Sequence, residues 1–116
     1  MAAGYYDWTI EQGSTWVKTL TITDTDSGDP RDLTGYTARM TIRREKSQEA
    51  VVLALTEANG RVSLTELSGI VTLAISAADT ADLSFGGGVY DVELESGGIV
   101  ERILEGKIGL SREVTF

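Results

Sequence analysis

Asp32-Leu33-Thr34-Gly35-Tyr36-Thr37-Ala38-Arg39-Met40-Thr41-Ile42-Arg43 joins a turn signal directly to an unbroken two-residue alternation. Tyr36, Ala38, Met40 and Ile42 share one phase and Thr37, Arg39, Thr41 and Arg43 the other, so one face is apolar and the other wet. The stretch reads as a strand entered from a loop, in a sheet with one face on a core and one in solvent, which is half of an antiparallel sandwich.

The same pattern extends on both sides. Upstream, Tyr6, Trp8 and Ile10 share a phase, and Gln12-Gly13-Ser14 follows as a turn or corner, so residues 1–12 are expected to form an N-terminal arm or edge strand. Trp16, Leu20 and Ile22 share the next phase with Lys18, and Leu20 and Ile22 are expected in the core. Asp24 to Asp32 contains turn-forming residues and reads as an exposed loop. Downstream, Arg43 to Glu49 reads as a solvent-exposed connection, and Val51, Leu53 and Leu55 are expected to point inward. Asn59-Gly60 predicts a two-residue hairpin with strands meeting across it. Val71, Leu73 and Ile75 form the next buried phase. Ser76 can cap one or two helical turns over residues 77–83. Tyr90, Val92 and Leu94 are expected inward, with Asp91, Glu93 and Glu95 outward. Ser96-Gly97-Gly98 makes a hairpin, and Leu104, Gly106, Ile108 and Leu110 share the inner phase of a closing strand or strand pair.

Length and composition set limits around this reading. A chain of 116 residues is the size of one domain, which is enough to bury a core. Fourteen Thr, thirteen Gly and a single Pro favour short strands and glycine-marked turns, so the class is all-β. No apolar run approaches the roughly 18 residues of a membrane helix. The N-terminal stretch lacks the basic start and apolar run of a secretory signal, so synthesis in the cytoplasm is expected. The net charge of −8 repels polyanions and argues against nucleic acid as a partner. The absence of Cys and His removes thiol nucleophiles, disulfides, the usual zinc ligands and imidazole acid–base catalysis.

Three stretches invite a chemical reading, and each has a simpler one. Asp24 to Asp29 resembles the start of a calcium loop, but its glycine comes one place early and the closing bidentate Glu is missing, so an ordinary acidic hairpin loop is the reading adopted. Gly86-Gly87-Gly88 precedes a strand, whereas a phosphate cradle follows one and opens a helix. Asp91, Glu93 and Glu95 lie two apart on a wet strand face, which suits solubility better than a glycosidase pair. No catalytic, cofactor-binding or metal-ligating residue is assigned, and no enzymatic activity is expected. Trp8 and Trp16 sit in phase with apolar residues and are read as core or inter-subunit packing, while Tyr5 and Tyr6 could anchor a contact.

Charge distribution is more informative. From Arg31 to Lys46 the chain carries five basic and two acidic residues, a local balance of +3. From Asp79 to Glu105 it carries seven acidic residues and one basic, a balance of −6. Opposed patches register protein contacts. The interface candidates are therefore Arg39 and Arg43, facing an acidic patch on a neighbour, together with Arg44, Asp91, Glu93, Glu95, Tyr5 and Tyr6.

The order of motifs carries a family resemblance: "QGST" at Gln12 to Thr15, "DLTGYTARMTIR" at Asp32 to Arg43, "GIVTLAISAADTADL" at Gly69 to Leu83 and "GVYDVELESGGIVERILEGKIGLSREVT" at Gly88 to Thr115. The chain resembles small virion proteins of tailed bacteriophages and is similar to the immunoglobulin-like N-terminal domain of phage upper baseplate proteins. The resemblance implies a non-enzymatic adaptor or anchor in the tail, baseplate or fibre attachment, located in the virion and made in the host bacterial cytoplasm. Its partners would be other phage structural proteins and copies of itself, with no nucleic acid, membrane or cofactor. A capsid decoration protein and a carbohydrate-binding module are the alternatives. The expected fold is a single immunoglobulin-like antiparallel β-sandwich of about seven to nine strands, with one short helix near residues 77–83.

Overall fold

The computed structural model describes residues 4–24, 27–44, 51–83 and 87–111. In chain order the elements are β1 (Gly4–Tyr5), β2 (Trp8–Glu11), β3 (Trp16–Thr21), β4 (Thr37–Arg43), β5 (Val51–Thr56), β6 (Val62–Thr65), β7 (Ile70–Ile75), α1 (Ala77–Ala81), β8 (Gly87–Ser96) and β9 (Ile99–Ser111). The turn that opens β4 is built as its residue types require. The Asp32 carboxylate accepts hydrogen bonds from the Thr34 backbone N–H at 2.9 Å and the Thr34 hydroxyl at 2.6 Å. Gly35 takes a φ of +84°, Leu33 is fully buried, and the Tyr36 N–H donates to the Leu33 carbonyl. A side-chain cap, an apolar anchor and a positive-φ glycine thus launch the strand. Beyond the turn, Ala38, Met40 and Ile42 are buried as the alternation requires, and Tyr36 packs half-buried against them.

The larger sheet has the order β1-β9-β8-β4-β5, with β2 also on β9, and the smaller has the order β3-β7-β6. These match the B-E-D and G-F-C-C′ sheets of an immunoglobulin variable-type sandwich. The inner faces meet through Met40, Ile42, Val92 and Leu94 on one side and Val62, Val71, Leu73 and Ile75 on the other. Pairing is antiparallel except along one edge, where β1 and β2 run parallel to β9. A parallel pair cannot be closed by a hairpin, and here the rest of the chain is the crossover. The Ser96–Ile99 hairpin has Gly97 at φ +59° and Gly98 at +82°, the two positive angles of a type I′ turn. In α1, the Ser76 side chain accepts from the Asp79 N–H at 3.2 Å, the cap expected from sequence.

Three expectations need correction. Asn59-Gly60 does not close a hairpin, because β5 belongs to the larger sheet and β6 to the smaller. Only Gly60 takes a positive φ there, so the type I′ geometry is not formed. Instead Asn59 Oδ1 accepts from the Thr56 and Arg61 N–H groups, while its Nδ2 donates to the Ala54 carbonyl. The corner satisfies the backbone of edge strand β5 and sends the chain to the other layer. Val51 is 47% exposed rather than inward. A register shift opposite Ile42/Arg43 leaves Val52 as an extra residue in β5, and such a bulge reverses the phase beyond it. Leu20 and Ile22 pack against the core but stay half-buried, because β3 is an edge strand of the smaller sheet. Within the acidic loop, the Asp24 N–H donates to the Asp29 carbonyl and Thr23 bridges Pro30; residues 25 and 26 lie outside the described residues, as do residues 45–49 of the connection after β4.

An aromatic bridge spans the layers. Trp8 stacks on Tyr90 with centroids 4.6 Å apart and an interplanar angle of 12°, and meets Trp16 edge-on at 5.3 Å. Both tryptophans are buried, as the packing reading expected. The Tyr90 hydroxyl donates to the Tyr6 carbonyl, and burial holds this phenol well above its usual pKa. A β-carbon at Gly106 would lie 1.9 Å from the Tyr6 carbonyl oxygen, so only glycine permits this approach. At the other end of β2, the buried Thr80 hydroxyl donates to the Ser14 carbonyl at 2.8 Å and accepts from the Gly13 N–H at 3.1 Å, and Gln12 Nε2 donates to the Leu83 carbonyl at 2.9 Å. The N-terminal segment is therefore held at both ends. We expect Gly106→Ala to lower stability by about 1–3 kcal/mol through overpacking; an unchanged urea midpoint, followed by tryptophan fluorescence, would refute the required close approach.

Candidate functional site

The outer face of the larger sheet is ordered by strand register into rows that cross β4, β8 and β9. One row is Arg39–Glu93–Arg102, the next is Thr41–Asp91–Glu105, and a third is Arg43–Val89–Lys107. Tyr5 on β1 extends the second row, opposite Glu105. Together they line a shallow groove of about 610 Å³. The position of Arg102 depends on a register shift between Val92 and Glu93: Val92 faces Leu104 while Glu93 faces Arg102, leaving Ile103 as the extra residue. Strict alternation would put Arg102 on the side of Leu104; the bulge turns it outward beside Glu93.

Most of the carboxylates on this face are engaged within the chain. Arg39 Nε donates to Glu93 at 3.0 Å and its Nη1 to Glu95 at 2.8 Å. The planar guanidinium thus spans two acids of one strand, a geometry a lysine could not supply. Arg102 lies 3.8 Å from Asp91 and 3.5 Å from Glu105, which are looser contacts. Asp91 is only 24% exposed on its side chain. Burial, with a smaller contribution from the Glu93 charge, raises its pKa above the ordinary carboxylate value, while Arg102 and Arg43 act in the opposite direction.

The sequence candidates divide accordingly. Arg39, Glu93 and Glu95 are in direct contact, and Arg43, Asp91 and Tyr5 share their groove. Arg44 and Tyr6 are exposed outside it. The basic and acidic segments do not form separate ends or faces of the molecule at these positions: they are adjacent strands of one face, and they neutralise each other in cis. Arg31 is elsewhere, bound to Glu101 at 3.0 Å and Asp24 at 3.3 Å. Sequence reading did not single out Lys107, Glu105 or Thr41; the alternation of β9 identifies the outward side of the first two, but only the register places them beside β8. Among the described residues, no group of three or more potential ligands is arranged to hold a metal ion. What the face carries is a set of charged and hydrogen-bonding side chains around one groove.

Arg39→Gln should cost no more than about 1 kcal/mol, because the Arg39 side chain is 40% exposed and such pairs are screened. A larger loss that persists in high salt would contradict this. Asp91 gives a pH signature. Its raised folded-state pKa means that its contribution to stability is complete below the unfolded value of about 3.9 and is lost as pH rises through the folded value. Asp91→Asn should therefore raise the melting temperature relative to wild type at neutral pH, with the gain disappearing in acid; a gain independent of pH would contradict the assignment. No protein-family model matches the chain, and a search of curated proteins returns no match.

Proposed function

We propose that this chain is a structural protein of a tailed-bacteriophage virion, an adaptor or anchor in the tail, baseplate or fibre attachment that acts through protein–protein contacts. The observation that carries the reading is the ordered set of motifs running from Gln12 to Thr115. Three of these motifs have identifiable structural roles in the sandwich. Asp32-Leu33-Thr34-Gly35 forms the capped turn that opens β4, and Ser76 with Thr80 holds α1 and the Gln12–Ser14 corner together. The β-sandwich and its charged outer face suit a rigid module whose work is contact.

A carbohydrate-binding module would present exposed aromatic platforms, and burial removes Trp8 and Trp16 from that role. Mass spectrometry of purified phage particles, together with antibody labelling in electron microscopy, tests the reading. Labelling of the tail or baseplate is expected. Labelling of the capsid shell would replace it with the decoration role, and absence from intact particles would overturn it.

A further inference from the structure

The charged rows show a regularity that is broken at one place. In the row Arg39–Glu93–Arg102, a carboxylate on the central strand stands between two cations. Four residues earlier on β8, the row Arg43–Val89–Lys107 also has a cation on each side, but the central residue is valine. The flanking backbones are two strand spacings apart, about 10 Å, so one carboxylate placed over Val89 can engage both side chains. The neighbouring acids do not supply it. The ion pairs of Asp91 and Glu105 are with Arg102, at 3.8 and 3.5 Å, and Asp7 uses a carboxylate oxygen to accept from the Lys107 backbone N–H. Among the described residues, neither Arg43 nor Lys107 forms an ion pair, and Arg43 Nε is buried without a hydrogen-bond partner. A buried guanidinium N–H left unpaired is costly.

We infer that the groove over Val89 is a docking site for an acidic segment of a partner protein, whose carboxylate is received jointly by Arg43 and Lys107. This rests on the contact-based role proposed above. Charge complementarity selects the occupant. The groove is lined by Arg39, Arg43, Arg102 and Lys107 and by Asp91, Glu93 and Glu105, and Arg39 also binds Glu95, so on this protein of net charge −8 the positive character is local rather than spread over the groove. Among the described residues, Arg43 and Lys107, which flank Val89, are the groove cations without an ion pair, so the local positive charge stands at one point. Tyr5, 64% exposed at the margin of the groove, adds an amphipathic surface against which an extended backbone can lie. The requirement is for a local carboxylate rather than a polyanion, because the surrounding negative charge opposes a long phosphate backbone.

The test uses the full chain, ¹⁵N-labelled, titrated with an acetylated and amidated tetraglutamate peptide and with the tetraglutamine analogue. Tetraglutamate should shift amide resonances clustered at residues 43, 88–90 and 106–108, and the glutamine analogue should not. Replacing both cations (Arg43→Gln with Lys107→Gln) should weaken binding about tenfold, the equivalent of two exposed ion pairs. Val89→Glu supplies a carboxylate in cis, as Glu93 does for Arg39, and should block the peptide while leaving the remaining sheet resonances in place. Shifts that map elsewhere, equal response to tetraglutamine, or undiminished binding by the double variant would overturn the site. A chain found in virions that fails these titrations loses the site and keeps the virion role; a chain that binds but is absent from particles does the reverse.

Discussion

Strand β8 is paired with β4 on one side and β9 on the other, so its two-residue period is transmitted to both neighbours. One set of its side chains, Tyr90, Val92 and Leu94, is driven into the core, and apolar burial on this scale, roughly 1.5–3 kcal/mol for each fully buried aliphatic side chain, sets the register. The other set, Asp91, Glu93 and Glu95, is then obliged to stand on the outer face whatever its electrostatic cost. Shifting the strand by one residue would bury three carboxylates, so the position of every charge on this face follows from packing on the opposite one.

The same strand organises the contact between the two ends of the chain. Tyr90 provides a ring for Trp8 and a hydroxyl for the Tyr6 carbonyl; Trp8 passes the contact to Trp16 on the facing sheet. In antibody domains, a disulfide joins the central strands of the two sheets. This chain has no cysteine, and aromatic packing makes the connection through the N-terminal segment. The arrangement requires the Tyr6 backbone, between β1 and β2, to pass over Gly106, which makes a residue with no side chain as specific as the aromatics around it.

The outer faces of the two layers differ sharply. On the smaller sheet, Val17, Thr19 and Thr21 of β3 lie opposite Ala74, Thr72 and Ile70 of β7, a surface without formal charge. On the larger sheet, charges are dense and mostly paired in cis. Exposed pairs contribute little to stability because water solvates the separated ions well, so the sandwich is held by its buried phase and not by this face.

Much of the sandwich could be read from sequence because alternation reports burial directly. Ala38, Met40 and Ile42, Val71, Leu73 and Ile75, and Tyr90, Val92 and Leu94 are all buried in the expected phase. Local chemistry also identified the Asp32–Gly35 turn, the Ser76 cap and the Gly97-Gly98 hairpin, since each depends on residues close in the chain. Asn59-Gly60 misled because the same residues serve a corner between sheets as readily as a hairpin within one, and the choice is made by the partners of β5 and β6. Interface candidates were legible as residue types but not as a surface: sequence separated Arg39 from Glu93 by 54 positions, and only pairing makes them neighbours. The bulge that turns Arg102 outward and the parallel docking of β1 and β2 on β9 have no local signature at all. Within unbroken strands, sequence by itself determined which side chains face oil and which face water, because that preference belongs to each residue and its period. Tertiary structure alone decided which charges meet, because register between distant strands is settled by the packing of the whole core.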